Sequence, residues 1–148
     1  MLSEQSLKQL IADKQLLIEG SSDILKGNAI KLHLGAICKR LTSEIVDIKS
    51  LEDAEYEEVD ISSGYDLKPN EFLLAYTLEK VTMPKGYMGW IETRGSLANI
   101  GFQVHFCDAH IDPESSLHIA LQIKNNSNSI IRISLKEYIA KMYVERLV

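Results

Sequence analysis

A chain of 148 residues, 45% hydrophobic and 25% charged with eight Gly and three Pro, has the composition of a globular domain, which excludes collagen-like, low-complexity and fully disordered classes. Its 21 acidic residues outnumber 16 Lys and Arg for a net charge of -5, and the scattered cations form no stripe that would track a nucleic-acid backbone. The N-terminal MLSEQSLKQLIADKQ is polar from its third residue, and no run approaches the roughly 18 apolar residues of a membrane span, so neither a signal peptide nor a membrane contact is expected and the expected location is cytoplasmic. Cys38 and Cys107 read as two reduced thiols rather than a bridge.

Ser3 is placed to accept an early backbone N–H, and Leu7, Leu10, Ile11 and Leu17 recur at helical spacing, which predicts one short helix over residues 4–15. A polar turn cluster at 19–23 follows. From Ile30 the pattern alternates, with Ile30, Leu32 and Leu34 on one side and Lys31 and His33 on the other, closed by Gly35; that is a half-buried strand. Residues 44–60 carry eight acids against the single Lys49, a solvated loop or edge hairpin, with a cation site or docking surface as the sharper alternative. Short β-like runs then span 71–78, 89–92, 103–106, 117–124, 130–133 and 139–147, separated by turn signals such as Pro69-Asn70, Pro84-Lys85-Gly86 and Asp112-Pro113. Many short strands after one helix predict a mainly β chain, an antiparallel barrel or jelly roll. No repeat or linker divides residues 1–148, which read as a single domain.

Phosphate-loop, dinucleotide-fingerprint, nucleophile-elbow and Cys-x-x-Cys motifs are absent, as is the zinc deaminase pattern. Two stretches carry polar density. In Glu92-Thr-Arg-Gly-Ser-Leu-Ala-Asn99, Arg94 precedes a Gly and a Ser that either form a plain turn or expose donors to an anion beside the guanidinium. In His105–Asp112 together with His118, three imidazoles, the Cys107 thiol and the Asp108 and Asp112 carboxylates fall within fourteen residues, lining a polar pocket or subunit contact, or supplying metal ligands. If residues 103–108 are extended, His105 and Cys107 share a face.

Leu67-Lys-Pro-Asn-Glu-Phe-Leu-Leu-Ala-Tyr-Thr-Leu-Glu-Lys-Val-Thr-Met-Pro84, Gly89-Trp-Ile-Glu-Thr-Arg-Gly-Ser-Leu-Ala-Asn-Ile-Gly101 and Ile111-Asp-Pro113 resemble the dCTP deaminase branch of the dUTPase superfamily. Leu25–Gly35 is similar to that family's first sheet motif and Ile139–Leu147 to its last core strand, so the resemblance covers nearly the whole chain. It implies a dUTPase-like distorted jelly roll, assembled as a homotrimer with sites for a deoxynucleoside triphosphate (dCTP or dUTP) between subunits. It also implies Mg²⁺ carried on the phosphates and no zinc. Arg94, Gly95, Ser96 and Asn99 fall on the phosphate-binding motif, Asp112 on the deoxyribose contact, and Gln122 on the position of the glutamate that exchanges protons with the attacking water and departing ammonia.

The departures bear on activity. Gln122 has no proton to exchange at neutral pH, a loss of about 10² to 10⁴ in rate. Asn99 removes the motif's second arginine, Gly95 its first serine, and Lys31 stands where an Asp is common. Asp108 replaces a small residue and is the candidate substitute for the missing acid/base. Three readings follow: a nucleotide hydrolase rescued by Asp108, a catalytically silent trimeric binding or regulatory module, and a metal-dependent protein. Ser63-Gly-Tyr-Asp-Leu67 is similar to the first motif of the dUTPase branch but directly abuts the Leu-x-Pro-x-Glu-Phe segment, which makes dUTPase activity the lesser alternative. Members of the family usually continue past the last core strand into a tail that covers nucleotide; the expectation here is a barrel without that tail.

Overall fold

In the computed structural model, which describes residues 1–105 and 108–148, helix α1 spans Glu4–Ala12 and starts as predicted, with Ser3 Oγ accepting the Ser6 N–H at 3.2 Å. Its end comes three residues early. Lys14 takes a left-handed φ of 55°, and the Gln15 and Leu16 amides turn back to the Leu10 carbonyl at 2.9 and 3.2 Å, a closure of the Schellman kind. That reversal buries Leu16 with Leu7 and Leu10, while Leu17 lies partly exposed on the next strand.

The strands follow in chain order. β1 (Leu17–Glu19), β2 (Leu25–Lys26), β3 (Ala29–His33) and β4 (Ile37–Leu41) precede a 3₁₀ turn at Leu51–Asp53. β5 (Tyr56–Asp60) and β6 (Tyr65–Leu67) lead into the long β7 (Phe72–Thr82) and β8 (Tyr87–Thr93). A four-residue helix, α2 (Gly95–Ala98), separates β8 from β9 (Phe102–Val104), and β10 (His110–Ile111), β11 (Ser116–Asn125), β12 (Ile131–Ile133) and β13 (Tyr138–Arg146) complete the chain.

Every pairing is antiparallel. One sheet runs β5-β4-β7-β11-β9, with β1 also on β7; a second runs β10-β8-β13-β3-β2, and β12 pairs with β6. Both larger sheets are open, and their inner faces feed one apolar core, so the architecture is the mainly β, distorted jelly roll that the resemblance implied. Alternation decides the core. Leu73, Ala75 and Val81 of β7 and Ile119, Leu121 and Ile123 of β11 are buried from one sheet, with Ile30, Leu32, Met142 and Val144 from the other, each of the larger aliphatic side chains contributing about 1.5–3 kcal/mol by leaving water. In β13 a register shift between Tyr138 and Ala140 buries the consecutive Ile139 and Ala140, the count expected of a bulge.

Gly35 lets the chain cross between sheets. Its N–H donates to the Tyr76 carbonyl at 2.8 Å, and a Cβ there would sit 2.9 Å from that same oxygen.

Among the described residues three buried polar side chains interrupt the core, and each is bonded. Thr77 Oγ1 donates to the Glu79 carbonyl at 2.6 Å and accepts the Ile119 N–H at 2.8 Å. The fully buried Glu79 carboxylate accepts the His33 N–H at 3.0 Å and bonds the His33 ring at Nδ1. Asn125 Nδ2 donates to the carbonyls of Leu67 and Ser129 at 3.0 and 2.7 Å. The acidic segment folds as the edge hairpin: β5 lies at the rim, paired only with β4, and Arg40 bonds Glu57, Glu71 and the Tyr65 hydroxyl.

Candidate functional site

The residues singled out in the sequence divide between two clefts. At the end of β8, Thr93 Oγ1 accepts the Val104 N–H at 2.9 Å and donates to the Val104 carbonyl at 3.1 Å, while the Arg94 N–H donates to Ile139 O at 2.9 Å. This pins the chain between β9 and β13 just before α2. Where a turn was expected at Gly95-Ser96, the Leu97 and Ala98 amides close onto Arg94 O at 2.9 and 3.0 Å and make a helical turn instead. Gly95 and Ser96 stay exposed, and a side chain built at Gly95 meets nothing within 4 Å, so the serine that this position has in the resembling motif would fit without strain.

The first cleft, about 410 Å³, opens beside this turn and is lined by Lys26, Arg94, Ser96, Tyr138, Lys141 and Tyr143 among others. Arg94 stacks over Tyr138, its Cζ 4.8 Å from the ring centroid, and its Nη1 donates to the Tyr138 carbonyl at 3.3 Å, which holds the guanidinium in place. The Lys141 pKa is raised, first by its bond to Tyr143 and at longer range by Glu92. Asn99 lies outside: exposed, its N–H donating to Gly95 O at 3.1 Å, it lines neither cleft.

The second cleft, about 180 Å³, gathers His105, Asp108, His110, Asp112 and Gln122. Gln122 sits on β11 between the core residues Leu121 and Ile123, so alternation turns it to the opposite face. The extended run expected over 103–108 does not form, because β9 ends at Val104 and His105 takes a left-handed φ of 59°. The expectation that His105 and Cys107 share a face turns on Cys107, which with Phe106 lies outside the described residues. His105 Nδ1 donates to the Asp108 carbonyl, which leaves Nε2 as a lone-pair acceptor on a neutral ring. Burial pushes the His105 pKa below its ordinary value, the nearby Asp108 and Gln122 working in the other direction. Two buried atoms here, His105 Nε2 and Gln122 Oε1, have no hydrogen-bond partner among the described residues.

Asp108 is largely exposed, its carboxylate accepting the His110 N–H at 3.3 Å and lying 4.0 Å from His110 Nδ1. His110 meets Trp90 edge-on at 4.2 Å. Asp112 braces the following turn through its backbone carbonyl, which accepts from Ser115 Oγ at 2.6 Å, and its side chain stays exposed. The third imidazole is elsewhere, His118 Nδ1 donating to Thr77 O at 3.0 Å. Among the described residues no three His, Cys, Asp or Glu side chains are arranged to hold a metal ion. Asp66 of the dUTPase-like motif is bonded to Arg132 at 2.7 Å and lines neither cleft. Residues that sequence reasoning passed over are Lys26, Lys141, Tyr138 and Tyr143; alternation puts Lys141 and Tyr143 on the non-core face of β13, a pattern that a solvated sheet face shares.

Comparisons with known proteins bear on the family and the fold. The dCTP deaminase of Pseudoalteromonas translucida is 30% identical over 99% of this chain and 83% of its own length. A crystal structure of 2'-deoxycytidine 5'-triphosphate deaminase from Agrobacterium tumefaciens superposes with a TM-score of 0.78 at 16% identity, covering 98% of this chain; the chain spans 48% of that molecule. A Staphylococcus bacteriophage 80alpha dUTPase superposes over 90% of this chain and 91% of its own, with a TM-score of 0.57 at 14% identity. No helix among the described residues is long and apolar enough to cross a membrane. A family model described as dCTP deaminase-like matches residues 1–147, and the chain belongs to that family.

Proposed function

We propose that the protein binds a deoxynucleoside triphosphate, dCTP or dUTP, between the subunits of a homotrimer, with its deaminase chemistry weakened or lost through Gln122. The observation that carries this reading is the division of polar chemistry: cations line one cleft, while the other holds unpartnered acceptors at His105 Nε2 and Gln122 Oε1. A deoxynucleoside triphosphate has the same two ends. Arg94 with Gly95 and Ser96 suits the phosphates, and the acceptors suit a base bearing N–H donors, such as the exocyclic amine of cytosine, with Asp112 at the sugar. The clefts share no lining residue, so a ligand touching both motifs lies between one subunit's Arg94 cleft and a neighbour's Gln122 cleft.

Mg²⁺ fits as a companion of the ligand. No carboxylate lines the cationic cleft, so the ion would ride on the phosphate oxygens, supplying charge neutralisation there, as Mg²⁺ commonly does in place of an all-protein cage.

Deamination needs a group that removes a proton from water and returns one to ammonia. The Gln122 amide does neither at neutral pH. Asp108 and Asp112 both line the Gln122 cleft; with Asp112 assigned to the sugar, a rescued enzyme would work through Asp108. The test is calorimetry with Mg²⁺ and each deoxynucleoside triphosphate, alongside assays for ammonia, monophosphate and diphosphate. Binding of dCTP or dUTP without turnover is the expected result; turnover abolished by Asp108→Ala would instead establish the rescued enzyme, and no binding by any nucleotide would overturn the reading.

A further inference from the structure

We propose that Lys26 and Lys141 are phosphate ligands of the first cleft, supplying from β2 and β13 the positive charge that α2 lacks. The inference rests on the nucleotide-binding reading above and goes beyond it, naming the groups and the polyphosphate class of ligand.

The cleft concentrates cations in a chain whose net charge is -5. Lys26 Nζ, Lys31 Nζ and Arg94 Cζ lie 5.8, 5.9 and 4.8 Å from the Tyr138 ring centroid, and Lys141 Nζ lies 5.5 Å from that of Tyr143. They are not equally engaged. Lys31 is bonded to Asp23 at 2.7 Å, and Arg94 to the Tyr138 carbonyl. Among the described residues, neither Lys26 nor Lys141 forms an ion pair within 4.0 Å.

The register also sets cation beside cation at this cleft. Lys141 stands directly opposite Lys31 across the β13–β3 pairing, and like charges so placed in a sheet destabilise it. Glu92 faces Lys141 across the other edge without an ion pair, and the bond to Tyr143, together with Glu92, favours the charged lysine. A polyanion seated between Arg94, Ser96, Lys26 and Lys141 would offset that repulsion. Tyr138 has its face taken up by cations, which leaves it poorly placed to stack a base, so this cleft suits phosphates and not the nucleobase. On the α2 side, Asn99 contributes no charge and does not reach the cleft.

The experiment titrates the full chain with sodium tripolyphosphate, dCTP and deoxycytidine, each with Mg²⁺. It compares the parent with Lys26→Gln, Lys141→Gln, their double variant and the control Lys49→Gln, whose lysine lies in the acidic hairpin. Each single change is expected to weaken tripolyphosphate and dCTP about tenfold, and the double about a hundredfold, in line with the loss of charge-assisted contacts. Lys49→Gln is expected to change neither. Thermal unfolding establishes that the variants fold, and removing one of two opposed lysines is expected to leave the midpoint equal or higher; if Lys141→Gln fails to fold, Lys141→Met and the Lys26→Gln result decide. If dCTP binds and the double variant holds it as tightly as the parent, this proposal falls while the nucleotide reading stands. If tripolyphosphate binds through the lysines but dCTP binds no tighter, the anion site stands and the nucleotide reading falls. If neither ligand binds the parent, both fall.

Discussion

The two clefts differ in what their surroundings have already satisfied. In the first, Arg94 is stacked on Tyr138 and bonded to its carbonyl, and Lys31 is held by Asp23; the cations are positioned before any ligand arrives, so little ordering cost remains on binding. In the second, His105 sits in a left-handed conformation that costs a non-glycine residue about 1 kcal/mol, and two buried acceptors lack donors. On the proposed reading, binding chemistry and proton-transfer chemistry occupy different places.

Placing a carboxylate at position 122 is the largest way to break that contrast. Gln122→Glu is expected to raise dCTP deamination by about 10² to 10⁴ over the parent, read as ammonia release under saturating dCTP and Mg²⁺. Unchanged rates with dCTP bound would place the deficit outside Gln122.

Next in size is the support beneath the first cleft. His33 lies 5.9 Å from the Tyr138 ring and is bonded through its amide and ring to the buried Glu79. Glu79→Ala strands these donors in the core and is expected to cost about 3–5 kcal/mol, measured by urea unfolding. A loss below 1 kcal/mol would show that the cleft does not depend on this pair.

Arg94→Ala comes third. It is expected to weaken triphosphate binding ten- to a hundredfold, about 1.4–2.8 kcal/mol, without altering Gln122→Glu turnover at saturating dCTP by more than the loss in affinity explains. Equal loss of kcat would tie the two clefts together chemically.

The pH dependence of the second cleft is smaller still. The folded protein holds His105 below its ordinary pKa of 6.5, so as pH falls below that value the unfolded chain takes up the proton first, and stability declines through the window down to the folded pKa. Asp23, Asp60 and Asp66, whose pKa values are lowered by Lys31, Ser62 and Arg132, lose their contribution only at more acidic pH. Urea midpoints between pH 7.5 and 5.5 are therefore expected to fall for the parent and to stay flatter for His105→Gln. Smallest is the response of Cys38, whose thiol burial pushes up to about 11: at pH 8, in a Cys107→Ser background, it is expected to stay unlabelled until denaturant is added.

Much of this was legible in the chain, for a physical reason. β7, β11 and β13 are long enough for period-two burial to declare itself, and among the described residues they supply ten of the buried hydrophobic side chains. β1, β2, β6 and β10 have only two or three residues, too few to show a period, and their pairing is dictated by the neighbouring strand. α2 escaped because Gly95-Ser96 is turn chemistry and four residues bury no face. Arg94, Gly95 and Ser96 did come together in one cleft, and Asp108, Asp112 and Gln122 in the other. Asn99 joined neither, and Lys26 and Lys141 passed as ordinary solvated lysines, because their convergence exists only once β2 and β13 flank β3.

The rim strand β5 bears on the behaviour of the protein at high concentration. Glu57, Glu58 and Asp60 run along the open edge of the sheet that carries Gln122, next to the exposed Tyr56. Another chain adding a strand there would bring its backbone against three carboxylates, and a second copy would bring six together. The sheet therefore ends on a margin that resists fibrillar growth, and neutralising those carboxylates, by acid or by substitution, is the change expected to turn a dispersed protein into an aggregating one.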